Sequence, residues 1–168
     1  ATAKTFENLP VIICSRVDMW MYMGFRHVNG PQEWDSIAKA EYIADVHEDY
    51  GIPLDKIATT IGDRHSTVFR LYRGLAVLRQ AEKEGLYIKK NAWNAKSFPY
   101  SHLWTALGYA SVQRYLGIYR ADKEMPLRVP KNKLRELKDL CVWLFGDREA
   151  NKQPHVKSQN PDLRLLAE

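Results

Sequence analysis

IPLDKIATTIGDRHSTVFRLYRGLAVL, residues Ile52–Leu78, is the stretch whose reading decides the fold. Ile57, Ala58 and Ile61 recur at helical spacing before Gly62-Asp63, and Val68, Leu71, Leu75 and Leu78 recur at helical spacing after it. That pattern predicts two short helices joined by a tight turn. A helix-turn-helix needs a small residue where its second helix crosses the first, and Ala58 supplies one. Four residues later the turn needs a residue that tolerates a left-handed backbone, and Gly62 supplies it. Val68 and Leu71 then lock the second helix inward. Pro53 suits the first turn of the first helix, and Asp63 is placed to cap the second.

The second helix, read as starting at Asp63, is expected to enter the major groove of double-stranded DNA with its N-terminus first. The residues expected to contact DNA are Arg64, His65, Ser66, Thr67, Arg70 and Arg73, with Phe69 beside them. Arginine pairs bidentately with guanine, and serine or threonine bonds to bases or phosphates. From Asp63 to Lys90 the basic side chains are Arg64, Arg70, Arg73, Arg79, Lys83, Lys89 and Lys90, against the acids Asp63, Glu82 and Glu84. Positive charge therefore follows the expected recognition helix. The alternative is an ordinary helical hairpin, acting as a protein-interaction module, with a solvated basic face.

Outward from this unit the pattern is α-rich. A helix is expected from Asp35 or Ser36 to Tyr50, stopped by Gly51, and the helix after the turn should end at Gly85. Lys89 to Ser97 reads as loop, Pro99–Gly108 and Ser111–Leu116 as two short helices, and Tyr119–Pro130 as an extended connection. Asn132–Phe145 is an amphipathic helix with Leu134, Leu137, Leu140, Cys141 and Leu144 on one face. A last helix starts at Asn160-Pro161 and runs to Glu168, where it reads as interrupted, so a longer parent protein is expected. At the front, Leu9–Ser15 and Met19–Met23 read as two short strands, followed by a glycine- and proline-marked loop at Gly24–Pro31. The fold class expected is mainly α with a small β element at the N-terminus. Its segments are a β segment at 1–34, a helix-turn-helix domain at 35–118, and a linker with C-terminal helices at 119–168.

Composition agrees with a DNA partner without requiring one. The chain has 168 residues, 45% hydrophobic and 27% charged, with a formal net charge of +5. Its isoelectric point near 9.2 is a nucleic-acid footprint only where the charge is localised. Cys14 and Cys141 stand far apart, and His27, His47, His65, His102 and His155 show no metal spacing. No apolar run reaches the ~18 residues of a membrane span, so no membrane partner is expected, and the cytoplasm is the expected compartment. Trp93, Tyr100, Trp104, Tyr109 and Tyr115 read as packing residues more readily than as base-stacking ones. Arg128, Lys131, Lys133, Arg135 and Lys138 form a second basic region that reads as a solvated helix face.

The stretch EWDSIAKAEYIADVHEDYGIPLDKIATTIGDRHSTVFRLYRGLAVLRQAEKEG, residues Glu33–Gly85, resembles the helical DNA-binding core of the ParB-type partition proteins. The preceding LPVIICSRVDMWMYMGFRHV, Leu9–Val28, resembles the end of the same family's N-terminal domain, where a strand pair leads to a G-x-R-R loop that binds nucleotide phosphates. Here the loop reads Gly24-Phe25-Arg26-His27, departing from the family at Phe25 and His27. The resemblance implies Gly24, Arg26 and His27 as a nucleotide-binding set, for a nucleoside triphosphate such as CTP or ATP with magnesium. It also implies a homodimer, and a role in plasmid partition or transcription regulation. A rival within the same superfamily is a nucleotide-hydrolysing or DNA-cleaving enzyme that uses Arg26 and His27.

Overall fold

The computed structural model describes residues 10–27, 34–63, 65–118 and 127–168, with the side chains of residues 17, 25 and 26 left aside. These residues are mainly α-helical, as the sequence pattern requires. The helices are α1 (Arg16–His27), α2 (Ser36–Glu48), α3 (Leu54–Thr60), α4 (Thr67–Lys83), α5 (Tyr100–Ala106), α6 (Ala110–Tyr115), α7 (Leu134–Phe145) and α8 (Asp162–Ala167). No helix among the described residues is long and apolar enough to cross a membrane.

α4 is the centre of the packing. It lies against α2 along most of its length and also touches α3, α5 and α7. Val68, Leu71, Tyr72, Leu75, Val77, Leu78 and Ala81 form its buried face. Ala40, Ile43, Ala44 and Val46 of α2 meet that face in the same cluster. Each buried aliphatic side chain contributes on the order of 2 kcal/mol, so this pairing dominates the stability of the region. Asp35 caps α2, its carboxylate accepting from the Ala38 amide at 2.8 Å. Leu137, Leu140, Cys141, Leu144 and Phe145 of α7, with Leu163 of α8, join the same apolar cluster. The extended segment before α7 is fastened to α4 by one side chain. The Gln80 amide donates to the Val129 carbonyl and accepts from the Val129 N–H, both at 2.8 Å. Leu127 and Val129 are buried as a result.

The expected β element is not formed among the described residues. Met19–Met23, read as a strand, lies inside α1, and Pro10–Ser15 forms neither helix nor strand among the described residues. Leu9 falls outside the described residues. The physical reason is a helix cap. The Ser15 hydroxyl accepts from the Asp18 amide at 3.1 Å and donates to the Asp18 carboxylate at 2.6 Å, which caps a helix starting at Arg16. Within that helix Trp20 and Gly24, one turn apart, face inward, while Met19, Met21 and Tyr22 stay exposed. The only β feature described is an isolated bridge between Asp147 and Lys152.

Candidate nucleic-acid interface

α3, the turn and α4 assemble the unit expected from the sequence. Ile57, Ala58 and Ile61 are buried against Val68, Leu71, Tyr72 and Leu75. α3 ends in a paired hydrogen-bond motif: the Asp63 amide donates to the Ala58 carbonyl at 2.8 Å and the Gly62 amide to the Thr59 carbonyl at 3.2 Å. That motif places Gly62 at φ +73°, the left-handed region where a side chain is strained. A Cβ there would meet nothing within 4 Å, so backbone conformation alone demands glycine.

The second helix begins later than the sequence suggested. It starts at Thr67 and not at Asp63, because Ser66 sits at φ +56° and interrupts the helical backbone. Asp63 braces the intervening turn. Its carboxylate accepts from the His65 amide at 3.0 Å and from the Val68 amide at 2.7 Å. Burial pushes the Asp63 carboxyl up, but the amides of Val68, His65 and Thr67 and the Thr67 hydroxyl outweigh it and hold it below the usual carboxylate range. Asp63 therefore caps α4 from a distance, satisfying a helix-start amide that Ser66 leaves without a side-chain bond.

The six residues expected to contact DNA divide into groups. His65 and Ser66 are exposed on the turn, and Thr67 opens α4, half-buried. Arg70 is exposed one turn further on. Its guanidinium donates to the His65 carbonyl at 3.1 Å and lies 5.0 Å over the Trp104 ring of α5. Arg73 is half-buried and, with Arg70, Trp104, Leu107 and Ile118, lines a cavity of about 350 Å³ between α4 and the α5–α6 region. Arg64 lies outside the described residues. His65, Ser66, Thr67 and Arg70 thus form one continuous edge, held from behind by Asp63 and Trp104. Trp104 could not be assigned from spacing, since it lies 34 residues beyond Arg70 in the chain.

The rest of the basic set has other duties. Arg79 pairs with both carboxylate oxygens of Glu48 at 3.0 and 2.9 Å, and the Tyr72 hydroxyl donates to the same carboxylate at 3.2 Å. Lys89 pairs with Glu41 at 3.4 Å. These bonds tie α4 and the segment after it to α2. Lys83 and Lys90 are exposed.

The setting expected for the nucleotide-binding set, a loop after a strand, is corrected by the structure. Gly24, Arg26 and His27 lie on α1 and not on a loop after a strand. Gly24 is buried: a Cβ there would stand 2.8 Å from Ile61 Cγ2 and 3.4 Å from the Tyr42 ring. Its lack of a side chain lets α1 approach α3 and α2. Tyr42 donates its hydroxyl to the Trp20 carbonyl, and burial pushes that phenol up to about 12. The His27 ring stacks on Trp34 at 4.6 Å. The side chain of Arg26 is outside the described residues.

Comparison of the chain with protein-family models, with curated proteins and with solved structures gives no match.

Proposed function

We propose that this protein binds double-stranded DNA through the α3–α4 unit, with the Thr67 end of α4 directed into the major groove. The observation that carries the reading is the edge formed by His65, Ser66, Thr67 and Arg70. A left-handed glycine, a capping carboxylate and an indole behind Arg70 hold that edge in place. Helix-turn-helix proteins read bases with the first turns of the second helix and hold phosphates with the flanking turn. Here Thr67 and Arg70 would read bases, while His65 and Ser66 would meet the backbone. Arg73, half-buried beside the cavity, has a supporting role. The resemblance to ParB-type partition proteins adds a homodimer, and a role in plasmid partition or transcription regulation, to this proposal. No nucleotide step is included, since Gly24 is packed against Ile61 and Tyr42 and the His27 ring is stacked on Trp34.

The test is a binding titration on selected and random duplexes over a range of salt. The wild-type chain should bind more weakly as salt rises, in proportion to the phosphates it neutralises. Arg70→Ala should flatten the preference among duplexes by ~1–3 kcal/mol. Lys83→Ala should weaken all duplexes alike and make the salt slope shallower by about 1. Binding by the wild-type chain that ignores salt on every duplex would remove the proposal.

A further inference from the structure

A second surface of positive charge, unpaired among the described residues, lies on the loop between α7 and α8. Its construction begins at Gly146, which ends α7 with φ +70° and ψ 179°, a conformation open almost only to glycine. A Cβ at Gly146 would stand 2.7 Å from the Lys152 carbonyl oxygen and 2.8 Å from Pro154 Cδ, so the loop closes tightly over it. The Asp147 amide donates to the Lys152 carbonyl at 2.7 Å, and the Lys152 amide returns a bond to the Asp147 carbonyl at 2.8 Å. Further along, the His155 and Val156 amides both donate to the Trp143 carbonyl, at 2.9 and 3.1 Å. On the other side the Arg148 amide donates to the Asn91 carbonyl at 2.9 Å, and Tyr87 donates its hydroxyl to the Gly146 carbonyl at 2.8 Å. The loop is pinned through its backbone at both ends, which leaves its side chains available.

Those side chains border two open grooves. One, of about 700 Å³, is lined by Lys138, Trp143, Lys152, His155 and Lys157, with Asp139 among them. The other, of about 560 Å³, is lined by Trp93, Lys96, Arg148 and Asn151. Lys96, Lys138, Arg148, Lys152 and Lys157 are all exposed, and none forms an ion pair among the described residues. The neighbouring acids are partly committed elsewhere. Asp147 accepts from the amides of Glu149 and Ala150, and Asp162 accepts from those of Lys157 and Ser158. Each groove therefore combines an indole with lysine or arginine side chains that form no ion pair among the described residues.

We propose that these paired grooves bind single-stranded nucleic acid, with bases against Trp143 and Trp93 and phosphates against the surrounding lysines and Arg148. The charge and the groove-lining indoles favour a single strand over a duplex because an indole at a groove can stack on an unstacked base, whereas a duplex hides its base faces in the helical stack. Tyr115 stacks on Trp143 at 5.5 Å and fixes the orientation of that indole. The proposal rests on residues separate from the α3–α4 unit, so failure of duplex binding at α4 leaves its test intact.

The experiment uses the full chain and a fluorescein-labelled thymidine oligonucleotide, followed by polarisation over a range of salt. The wild-type chain should bind it, quench its tryptophan emission, and prefer it to a duplex of equal length at this surface. Combined Lys138→Gln, Lys152→Gln and Lys157→Gln should weaken binding at least about tenfold. At ~0.7 per lost phosphate contact, the salt slope should become shallower by about 2. These exposed changes should leave the melting temperature unaltered. Trp143→Leu should weaken binding with the salt slope unchanged, since stacking releases no counterions. Full oligonucleotide affinity in the triple-lysine variant overturns the proposal. So does a polyglutamate that displaces the oligonucleotide as well as unlabelled oligonucleotide does, because charge alone would then explain binding. A triple-lysine variant that loses duplex binding while the single strand binds no better than duplex also overturns it.

Discussion

The turn at Gly62 and the turn at Gly146 both end a helix with glycine at positive φ, and both present a surface proposed to meet nucleic acid. They are built differently. At Gly62 the space beside the α-carbon is empty, and only the left-handed backbone, at φ +73°, excludes a side chain. At Gly146 the backbone conformation and three neighbouring atoms within 2.9 Å exclude it together. A turn that is demanding only in its dihedral angles can be shifted at modest cost. A turn that is also filled must rebuild its neighbours.

Replacement of each glycine by alanine separates the two. Gly146→Ala should be the most destabilising single change considered, by roughly 3 kcal/mol, because the strained conformation alone costs about 1–3 kcal/mol and the Lys152 carbonyl has to move as well. Amide exchange at Asp147 and Lys152 should accelerate with it. Gly62→Ala should cost about 1–2 kcal/mol, the usual penalty of one left-handed L-residue, with exchange elsewhere unaltered. Chemical denaturation of the two variants checks the order. If Gly62→Ala proved the more damaging, the distinction between a filled and an open turn would be wrong.

Asp63 sharpens the same comparison, since the Gly62 turn depends on a carboxylate where the Gly146 turn depends on backbone pairing. Asp63→Ala should destabilise the protein by ~1 kcal/mol at neutral pH, the usual worth of a helix cap. The sign with pH follows from the direction of the shift. Folding holds the Asp63 carboxyl below its ordinary value, so its contribution is present above about pH 4 and is lost as pH falls through the lower, folded-state value. The gap between wild type and variant should therefore close on acidification. A gap that stays constant from neutral pH into strong acid would show that the carboxylate charge contributes nothing to the turn.

Much of the α3–α4 unit was legible in the sequence because its determinants are local. Ala58, Gly62, Asp63, Val68 and Leu71 lie within fourteen residues of one another, with helical spacing from Ala58 to Gly62 and from Val68 to Leu71 and a turn between. The start of α4 was misplaced by four residues because Ser66 adopts a left-handed backbone, which its residue type does not announce. The front of the chain was misread for another reason. MWMYM is too short for apolar periodicity to separate strand from helix, and the signal that decides it is the Ser15–Asp18 cap outside the apolar run. Nor could spacing find partners far apart in sequence. Arg79 looked like one more cation of a DNA-facing helix until the fold placed Glu48 beside it. The indole of Trp143 and the lysines around it are likewise united only by the loop that folds back from Gly146.

Arg79 also gives the smallest effect expected, and it bears on what the two ends of α4 are for. Near the start of the helix Arg70 is held by a carbonyl and a ring, both neutral, so its charge stays available to an anion. Near the end, Arg79 meets a carboxylate, so its charge is already balanced. Both side chains of that pair are more than two-fifths exposed, which puts its worth in the range of about 0–1 kcal/mol. Glu48→Gln should therefore lower stability by ~0.5 kcal/mol or less, and added salt should shrink even that difference. It should also release the guanidinium from the carboxylate it pairs with among the described residues. If the C-terminal end of α4, Lys83 included, lies beyond the reach of a bound duplex, the released Arg79 will leave duplex affinity unchanged at every salt concentration, and the phosphate contact assigned to Lys83 falls with it. A rise in affinity with a steeper salt slope would place DNA along the whole of α4, and would make Glu48 a residue that masks a phosphate contact.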